Sequence, residues 1–394
     1  MSHPEILDKP ATRRFLAIYV AVLVASHLVR ALYSPAPVPA EATSFAELPA
    51  YDPEAEIQPD GSVNLAYRDI PADRPTAPVL VLLHGSPMRS SDWAPLITEL
   101  HGKYRMIIPE MYGSGASDED LPDYSCAAAA RYVGGLLENL AIERAHLCGF
   151  SSGSTVALHT ASEHPEKVAS LTLLAPMAVE QLELVGDATL NHAIYWAQRF
   201  YIWCGRNLVP HFGLLDRAPA NRNYARHYYD SDLRRVPEIL PMVTAPVRIV
   251  HGEGDLVRPA AAARELARLL PQAELELLDG GHKAPLEQPD SVAATIAGVV
   301  ADPAPGRAAA DPKRTVAAEE PFDYARYRDD LRARVVLMVT LLAIATLISE
   351  DITCITAGIL AARGMLGLFP ATLGCFLGIL IGDTALYFLG RILG

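Results

Sequence analysis

Positive charge is scarce in this chain: 33 Lys and Arg stand against 46 Asp and Glu, a formal net charge of −13, and no run of basic residues offsets it. A nucleic-acid partner is thereby excluded, because phosphate binding with counterion release needs a basic face. Cysteine is thin as well. Cys126, Cys148, Cys204, Cys354 and Cys375 have neither the close, even spacing of a disulfide framework nor a CxxC pair, and they read as small buried residues. With no HExxH string and no paired Cys/His spacing, no metal site is expected and no cofactor is implied. No internal repeat is present.

What is plentiful is apolar character, which reaches 51% and is concentrated toward the two ends. That distribution predicts a membrane protein with a soluble middle. Residues 15–33, FLAIYVAVLVASHLVRALY, form an apolar run preceded by Lys9, Arg13 and Arg14, so residues 1–35 are expected to hold a signal anchor or transmembrane helix. A cleavable signal peptide is the rival, but the small residues at Val38-Pro39-Ala40 lie about ten positions beyond the apolar core of that run. Residues 36–58, rich in Pro, Ala and Glu, read as a linker.

From 59 to 302 the pattern alternates. Short β-branched or apolar runs at 62–70, 79–83, 105–109, 145–150, 169–175, 246–251 and 274–279 predict strands. Helical segments near 92–101, 125–139, 153–163, 260–270 and 288–300 separate them. Continuous apolar strands alternating with helices predict an α/β domain with a mostly parallel sheet covered on both faces. The alternation breaks at about 177–244, where aromatics such as Tyr195, Trp196, Phe200, Trp203 and Tyr228 crowd together. An insertion of this size predicts a helical lid over the strand ends, where open α/β folds bind ligands. Residues 303–333 read as a second linker, and 334–394 hold apolar stretches at 335–348, 352–363 and 366–390 that suit membrane helices.

The strongest chemical signal is Gly149-Phe150-Ser151-Ser152-Gly153, between a strand and a helix. Such a GxSxG elbow forces serine into a positive-φ turn, so Gly149 and Gly153 let the chain close. The following helix aims its first amides where an oxyanion would form, which nominates the N–H of Ser152. Strand 79–83 ends in His84-Gly85-Ser86-Pro87, which nominates Ser86 N–H as a second donor and leaves His84 to shape the loop. A serine hydroxyl needs a base, and the base a carboxylate to orient it. Two further strand ends supply them: His251-Gly252-Glu253-Gly254-Asp255 and Gly280-Gly281-His282. The chain order Ser151, Asp255, His282 predicts a catalytic triad.

On these residues, 60–300 resemble the α/β-hydrolase superfamily, in the branch of lid-bearing epoxide-hydrolase-like and peptidase-like proteins. The stretch Pro109-Glu110-Met111-Tyr112-Gly113-Ser114-Gly115-Ala116-Ser117 is similar to that family's loop after the next strand, and Gly252-Glu253-Gly254-Asp255 with Pro259 to its acid loop. The resemblance implies an α/β-hydrolase fold and triad roles for Ser151, Asp255 and His282. Two departures stand out. Serine at 151 speaks against dehalogenase or epoxide-hydrolase chemistry, which needs a carboxylate nucleophile, and Ser154 stands where glycine or alanine is common.

The C-terminal stretch resembles the N-terminal part of the DedA family, also called the VTT or SNARE-associated domain. Ser349-Glu350-Asp351 ahead of Ala357-Gly358, then Gly382-Asp383, Tyr387, Gly390-Arg391 and Gly394 carry that likeness. Acidic groups in a bilayer are costly and mark functional paths, so Glu350, Asp351, Asp383 and Arg391 are candidate functional residues of a membrane domain. Topology by charge is contradictory: Lys9, Arg13 and Arg14 send the hydrolase outside, whereas Arg326, Arg328, Arg332 and Arg334 hold it inside. The first helix usually dominates, which favours the exterior.

The expected function is a membrane-anchored serine hydrolase that cleaves a small-molecule or lipid acyl ester or amide. The alternatives are a DedA-type lipid-transport protein with an accessory hydrolase, and a non-catalytic binding module. The lid side chains, which set the substrate, leave its identity open.

Overall fold

The computed structural model describes residues 10–33, 43–52, 60–184, 186–217, 221–301, 306, 310–327, 334–347, 349–362 and 366–393. Lys9, Val38, Pro39, Ala40, Arg328, Arg332 and Gly394, which enter the anchor, cleavage, topology and family readings, lie outside the described residues.

Eight strands make one sheet in the order β1-β2-β4-β3-β5-β6-β7-β8. They are β1 (Thr43–Pro49), β2 (Ser62–Ile70), β3 (Val79–Leu83), β4 (Arg105–Pro109), β5 (Ala145–Phe150), β6 (Val168–Leu174), β7 (Val247–Gly252) and β8 (Ala273–Leu278). β1 and β2 pair antiparallel and β2 meets β4 antiparallel, while β3 through β8 run parallel. In β3 alternate residues enter opposite cores: Val81 and Leu83 pack on one side with Leu136 and Val156, and Leu80 and Leu82 on the other with Trp93 and Ile296. Both faces are dry, so the inner parallel strands read as unbroken apolar runs, whereas edge strand β8 alternates, with Glu274 and Glu276 exposed.

Helices cover the two faces, while the first helix and the two longer helices between β6 and β7 lie apart from the strands. In chain order they are α1 (Pro10–Tyr33), α2 (Ala94–Leu100), α3 (Cys126–Asn139), α4 (Ser152–Glu163), α5 (Ala188–Leu208), α6 (Arg222–Asp230), α7 (Val236–Ile239), α8 (Ala260–Leu269), α9 (Ala284–Glu287) and α10 (Pro289–Ala301). α5, α6 and α7 fall between β6 and β7, where the sequence predicts the lid. All five cysteines are free thiols.

The segment 36–58 is not wholly a linker, because residues 43–49 form β1. Thr43 to Pro49 register against Arg68 to Ser62, with Ala46 and Leu48 buried and Glu47 exposed. An edge strand needs only a few inward side chains, and its ladder of backbone hydrogen bonds is indifferent to composition. The Pro/Ala/Glu content therefore conceals it. A second correction falls in 303–333, where α11 (Pro312–Ala318) and a 3₁₀ turn over Tyr324–Tyr327 strap onto the domain. Arg314 donates to the carbonyls of Ala267 and Ala273, and the Tyr327 hydroxyl donates to buried Glu265 at 2.5 Å. A charged stretch docks here because Glu265, 1% exposed and paired with Arg268, is a buried acceptor for it.

Beyond the strap lie α12 (Arg334–Thr346), α13 (Glu350–Ala362) and α14 (Leu368–Leu393), with a small core of their own around Leu342, Leu360 and Ala371. At Gly374 a methyl group would stand 3.0 Å from the Val339 carbonyl, and Gly378 meets the Ala343 backbone in the same way. Gly374, Gly378 and Gly382, four residues apart, thus let α14 approach α12 closely, the small-residue packing that membrane helices use. Two stretches, Arg13–Leu32 in α1 and Leu368–Phe388 in α14, are long and apolar enough to cross a membrane by length and composition.

Tyr327→Phe removes one hydrogen bond to a buried carboxylate. The expected loss is about 1.5–3 kcal/mol, read as a lower urea midpoint with an unchanged slope; an unchanged midpoint would show that the strap contributes no stability.

Candidate active site

β5 delivers the chain to Ser151 with φ +53° and ψ −119°, a backbone conformation that costs a serine of order 1–3 kcal/mol. Close packing compensates. A methyl group at Gly149 would lie 2.6 Å from Ser154 N, and one at Gly153 would lie 2.7 Å from the His84 carbonyl, so the elbow admits only glycine at these two places. Ser151 N–H donates to the Leu174 carbonyl at 2.8 Å, fixing the turn to β6. The Ser154 hydroxyl, at a position where the sequence departs from the family pattern, donates to the Gly149 carbonyl at 2.7 Å. It closes the elbow from within.

Asp255 and His282 arrive from the ends of β7 and β8. His282 Nε2 lies 3.3 Å from Ser151 Oγ, and its Nδ1 lies 2.7 Å from Asp255 Oδ2. The other carboxylate oxygen, Oδ1, accepts from the N–H groups of Val257 and Arg258 at 2.8 and 2.9 Å. Burial alone would raise the Asp255 carboxyl, but the His282 hydrogen bond and charge, with the Arg258 N–H, hold it below the ordinary aspartate range. The carboxylate is therefore ionised at neutral pH. His251, buried beside it, donates from Nε2 to the Arg258 carbonyl at 3.0 Å, and burial lowers its pKa so that it stays neutral.

Ser86 and Ser152 meet at the elbow. Ser152 opens α4, and the first N–H groups of a helix lack intrahelical acceptors. Ser86 N–H donates to the Ser152 hydroxyl at 3.1 Å. An oxyanion seeking the Ser86 amide would share it with that hydroxyl. His84 has the shaping role: fully buried, it accepts from Met111 N–H at Nε2 (2.9 Å) and lies 2.9 Å from the Gly85 carbonyl through Nδ1. Desolvation keeps it neutral.

The helical insertion between β6 and β7 reaches down to this loop. The Tyr228 hydroxyl donates to the Ser86 carbonyl at 3.4 Å, and its ring lies 5.4 Å from that of Tyr195. Burial pushes the Tyr228 phenol up to about 12 and raises Tyr195 as well, so both remain neutral donors. Sequence reasoning passes over a further pair at the lid's entry. Arg258, three residues after Asp255, donates to Glu183 Oε1 at 3.1 Å with both side chains buried. Burial works against the Arg258 charge, and the Glu183 carboxylate more than restores it. Only the spacing from Asp255 could have pointed to Arg258; nothing local marks it as buried.

The candidate membrane residues stand apart from this site. Glu350 and Asp351 open α13, while Asp383 and Arg391 lie on α14, and all four are exposed.

A family model for the alpha/beta hydrolase fold matches residues 78–209. A protein of Serratia proteamaculans named as a carbamate hydrolase, RutD, is 29% identical over 229 residues, covering 53% of this chain and 86% of the relative. The 30 kDa magnesium-chelatase subunit of Rhodobacter capsulatus is 27% identical over 240 residues, covering 54% and 82%. Among solved structures, a thermophilic esterase from Thermogutta terrifontis superposes with a TM-score of 0.52 at 21% identity, over 66% of this chain and 98% of the esterase. The esterase EaEST from Exiguobacterium antarcticum gives 0.52 at 21%, over 66% and 100%. The family match falls inside the sheet domain, and none of these relatives is a DedA protein. Sheet, elbow and relatives agree: this chain is a hydrolase with the α/β-hydrolase fold.

Proposed function

We propose that the chain is a membrane-anchored serine hydrolase that transfers the acyl group of an ester, amide or carbamate to water. The observation that carries the proposal is the unbroken relay from Ser151 Oγ through His282 to Asp255, at 3.3 and 2.7 Å. Ser151 attacks the carbonyl carbon while His282 Nε2 takes its proton. Asp255 holds the imidazole tautomer that presents Nε2 as acceptor and stabilises the imidazolium that forms. The developing oxyanion is received at the N–H groups of Ser152 and Ser86. His282 then returns the proton to the leaving group, and a second proton transfer activates the water that frees the acyl group.

Ester and carbamate come first among substrates because the relatives carry those names. α1 and the α12–α14 bundle attach the domain to a membrane, a reading that the apolar lengths of α1 and α14 support. The DedA likeness of 334–394 adds a lipid-transport reading, which rests on the sequence resemblance alone.

Fluorophosphonate probes label an activated serine and leave a binding module untouched. The full chain is expected to be labelled and Ser151→Ala not, with loss of short p-nitrophenyl ester hydrolysis; labelling that survives in Ser151→Ala would overturn the assignment. Asp255→Asn keeps the fold but favours the wrong imidazole tautomer. Its kcat is expected to fall by about 10³–10⁴ with KM little changed, measured by steady-state kinetics, and a drop below ten-fold would deny Asp255 its orienting role.

A further inference from the structure

The outer face of the lid is made for a medium other than water. Along α5, Trp196, Phe200 and Trp203 form a ridge at i, i+4 and i+7, each more than half exposed, with successive rings stacked at 5.8 and 6.3 Å. From the last residue of the helix onward the apolar surface continues through Leu208, Val209, Phe212 and Leu214, all exposed. Tyr195, about 100° around the same helix from Trp196, reaches Tyr228 and through it the Ser86 loop. The ridge and the residue that reaches the cover of the active site thus lie on neighbouring faces of one helix.

The backbone groups where α5 ends are paired as they would have to be in hydrocarbon. The last carbonyls of a helix have no intrahelical donor, and those of α5 are met by α1. The Tyr19 hydroxyl donates to Leu208 O, His27 Nε2 lies 3.0 Å from Asn207 O, and Arg30 donates to Arg206 O at 2.7 Å. In the irregular segment that follows, the N–H groups of His211 and Phe212 both donate to the Ser26 hydroxyl, at 3.0 and 2.9 Å, and Ser26 is 1% exposed. Arg30 closes the joint with two bonds to Asp216 at 2.7 and 2.8 Å, and Arg206 joins from 3.0 Å. Water would satisfy these groups without help, whereas lipid leaves none of them an alternative partner. Polar atoms turned inward onto α1 and apolar side chains turned outward are the pattern of a lipid-facing segment.

Depth follows from helix geometry. From Tyr19 to Arg30 α1 rises about 16 Å, roughly half of a hydrocarbon core of about 30 Å. The side chains of α1 that hold the end of the lid are therefore drawn from about one leaflet's depth of that helix.

We propose that the lid's outer ridge and its 208–215 segment are embedded in one leaflet of a lipid bilayer beside α1, so that Ser151 receives a lipid-borne acyl substrate from the membrane. This rests on the proposed membrane role of α1 and on Ser151 as nucleophile. The joint through Ser26, Arg30 and Asp216 makes anchor and lid one body. The anchor thereby fixes the height of the lid as well as tethering the domain.

Tryptophan fluorescence tests the embedding directly, because the chain has three tryptophans and Trp93 is fully buried in the core. The full chain is reconstituted into phosphatidylcholine/phosphatidylglycerol vesicles, and the emission of a Trp196→Phe, Trp203→Phe double variant is subtracted, which isolates the lid signal. Brominated acyl chains are expected to quench that signal by about half or more while aqueous iodide leaves it intact, as for aromatics at lipid depth. Quenching by iodide alone would place the lid in water, and resistance to both would place it against a second copy of the chain; either result overturns the proposal. Delivery from the membrane is read with Arg30→Ala, which opens the joint far from the triad. Turnover of a long-chain ester dissolved in the vesicles is expected to drop several-fold while a short water-soluble ester is hydrolysed as before; equal loss on both overturns delivery through the lid. Absence of short-ester hydrolysis in the wild-type chain would instead strike the proposed chemistry, with embedding still decided by the quenching result.

Discussion

The turn at Ser151 is the constraint around which the domain is arranged. A serine at φ +53° is strained, and the strain persists because Gly149 and Gly153 let the strand end, the helix start and the His84 carbonyl pack without a methyl group between them. Ser154 and the Leu174 carbonyl then pin the turn from two sides. With the elbow fixed, the ends of β7 and β8 need only project their loops over it to bring Asp255 and His282 within reach. Strand order does this: β5, β6, β7 and β8 are consecutive neighbours in the sheet.

The lid is tied to that frame at two kinds of joint. On the inside, Arg258 and Glu183 form a buried ion pair that links the acid loop to the lid's entry, and Tyr228 reaches the Ser86 loop. A buried pair of this kind adds little net stability but is expensive to break, so it favours one arrangement of acid loop and lid over others. On the outside, α1 satisfies the backbone at the end of α5 through Tyr19, Ser26, His27 and Arg30. The first joint borders the Ser151 site and the second fixes the lid's outer end.

Much of the frame was legible in the residues. The seven apolar runs from 62 to 279 each became a strand within a residue or so of the expected limits: the inner strands, buried on both faces, cannot hide their hydrophobicity, and β2 and β8 show the alternation of half-exposed strands. β1 escaped, since an edge strand with two inward residues, Ala46 and Leu48, carries too weak a period to stand out from a Pro- and Glu-rich stretch. The strap at Tyr324–Tyr327 escaped for a related reason: its partner, Glu265, lies on a distant helix whose burial no local pattern announces. Arg258 reads as an ordinary loop cation until Glu183 is placed opposite it.

Local chemistry thus determined the strands, the glycine-bounded serine turn, the order Ser151, Asp255, His282 and the apolar helices at both ends, since each depends on residues adjacent along the chain. Only the tertiary structure decided that His282 stands 3.3 Å from Ser151, that Ser86 N–H is held by the Ser152 hydroxyl, and that α1 clasps the end of the lid. Those contacts join residues tens to hundreds of positions apart. Their geometry is set by sheet order and loop path, which hydrophobic periodicity does not encode.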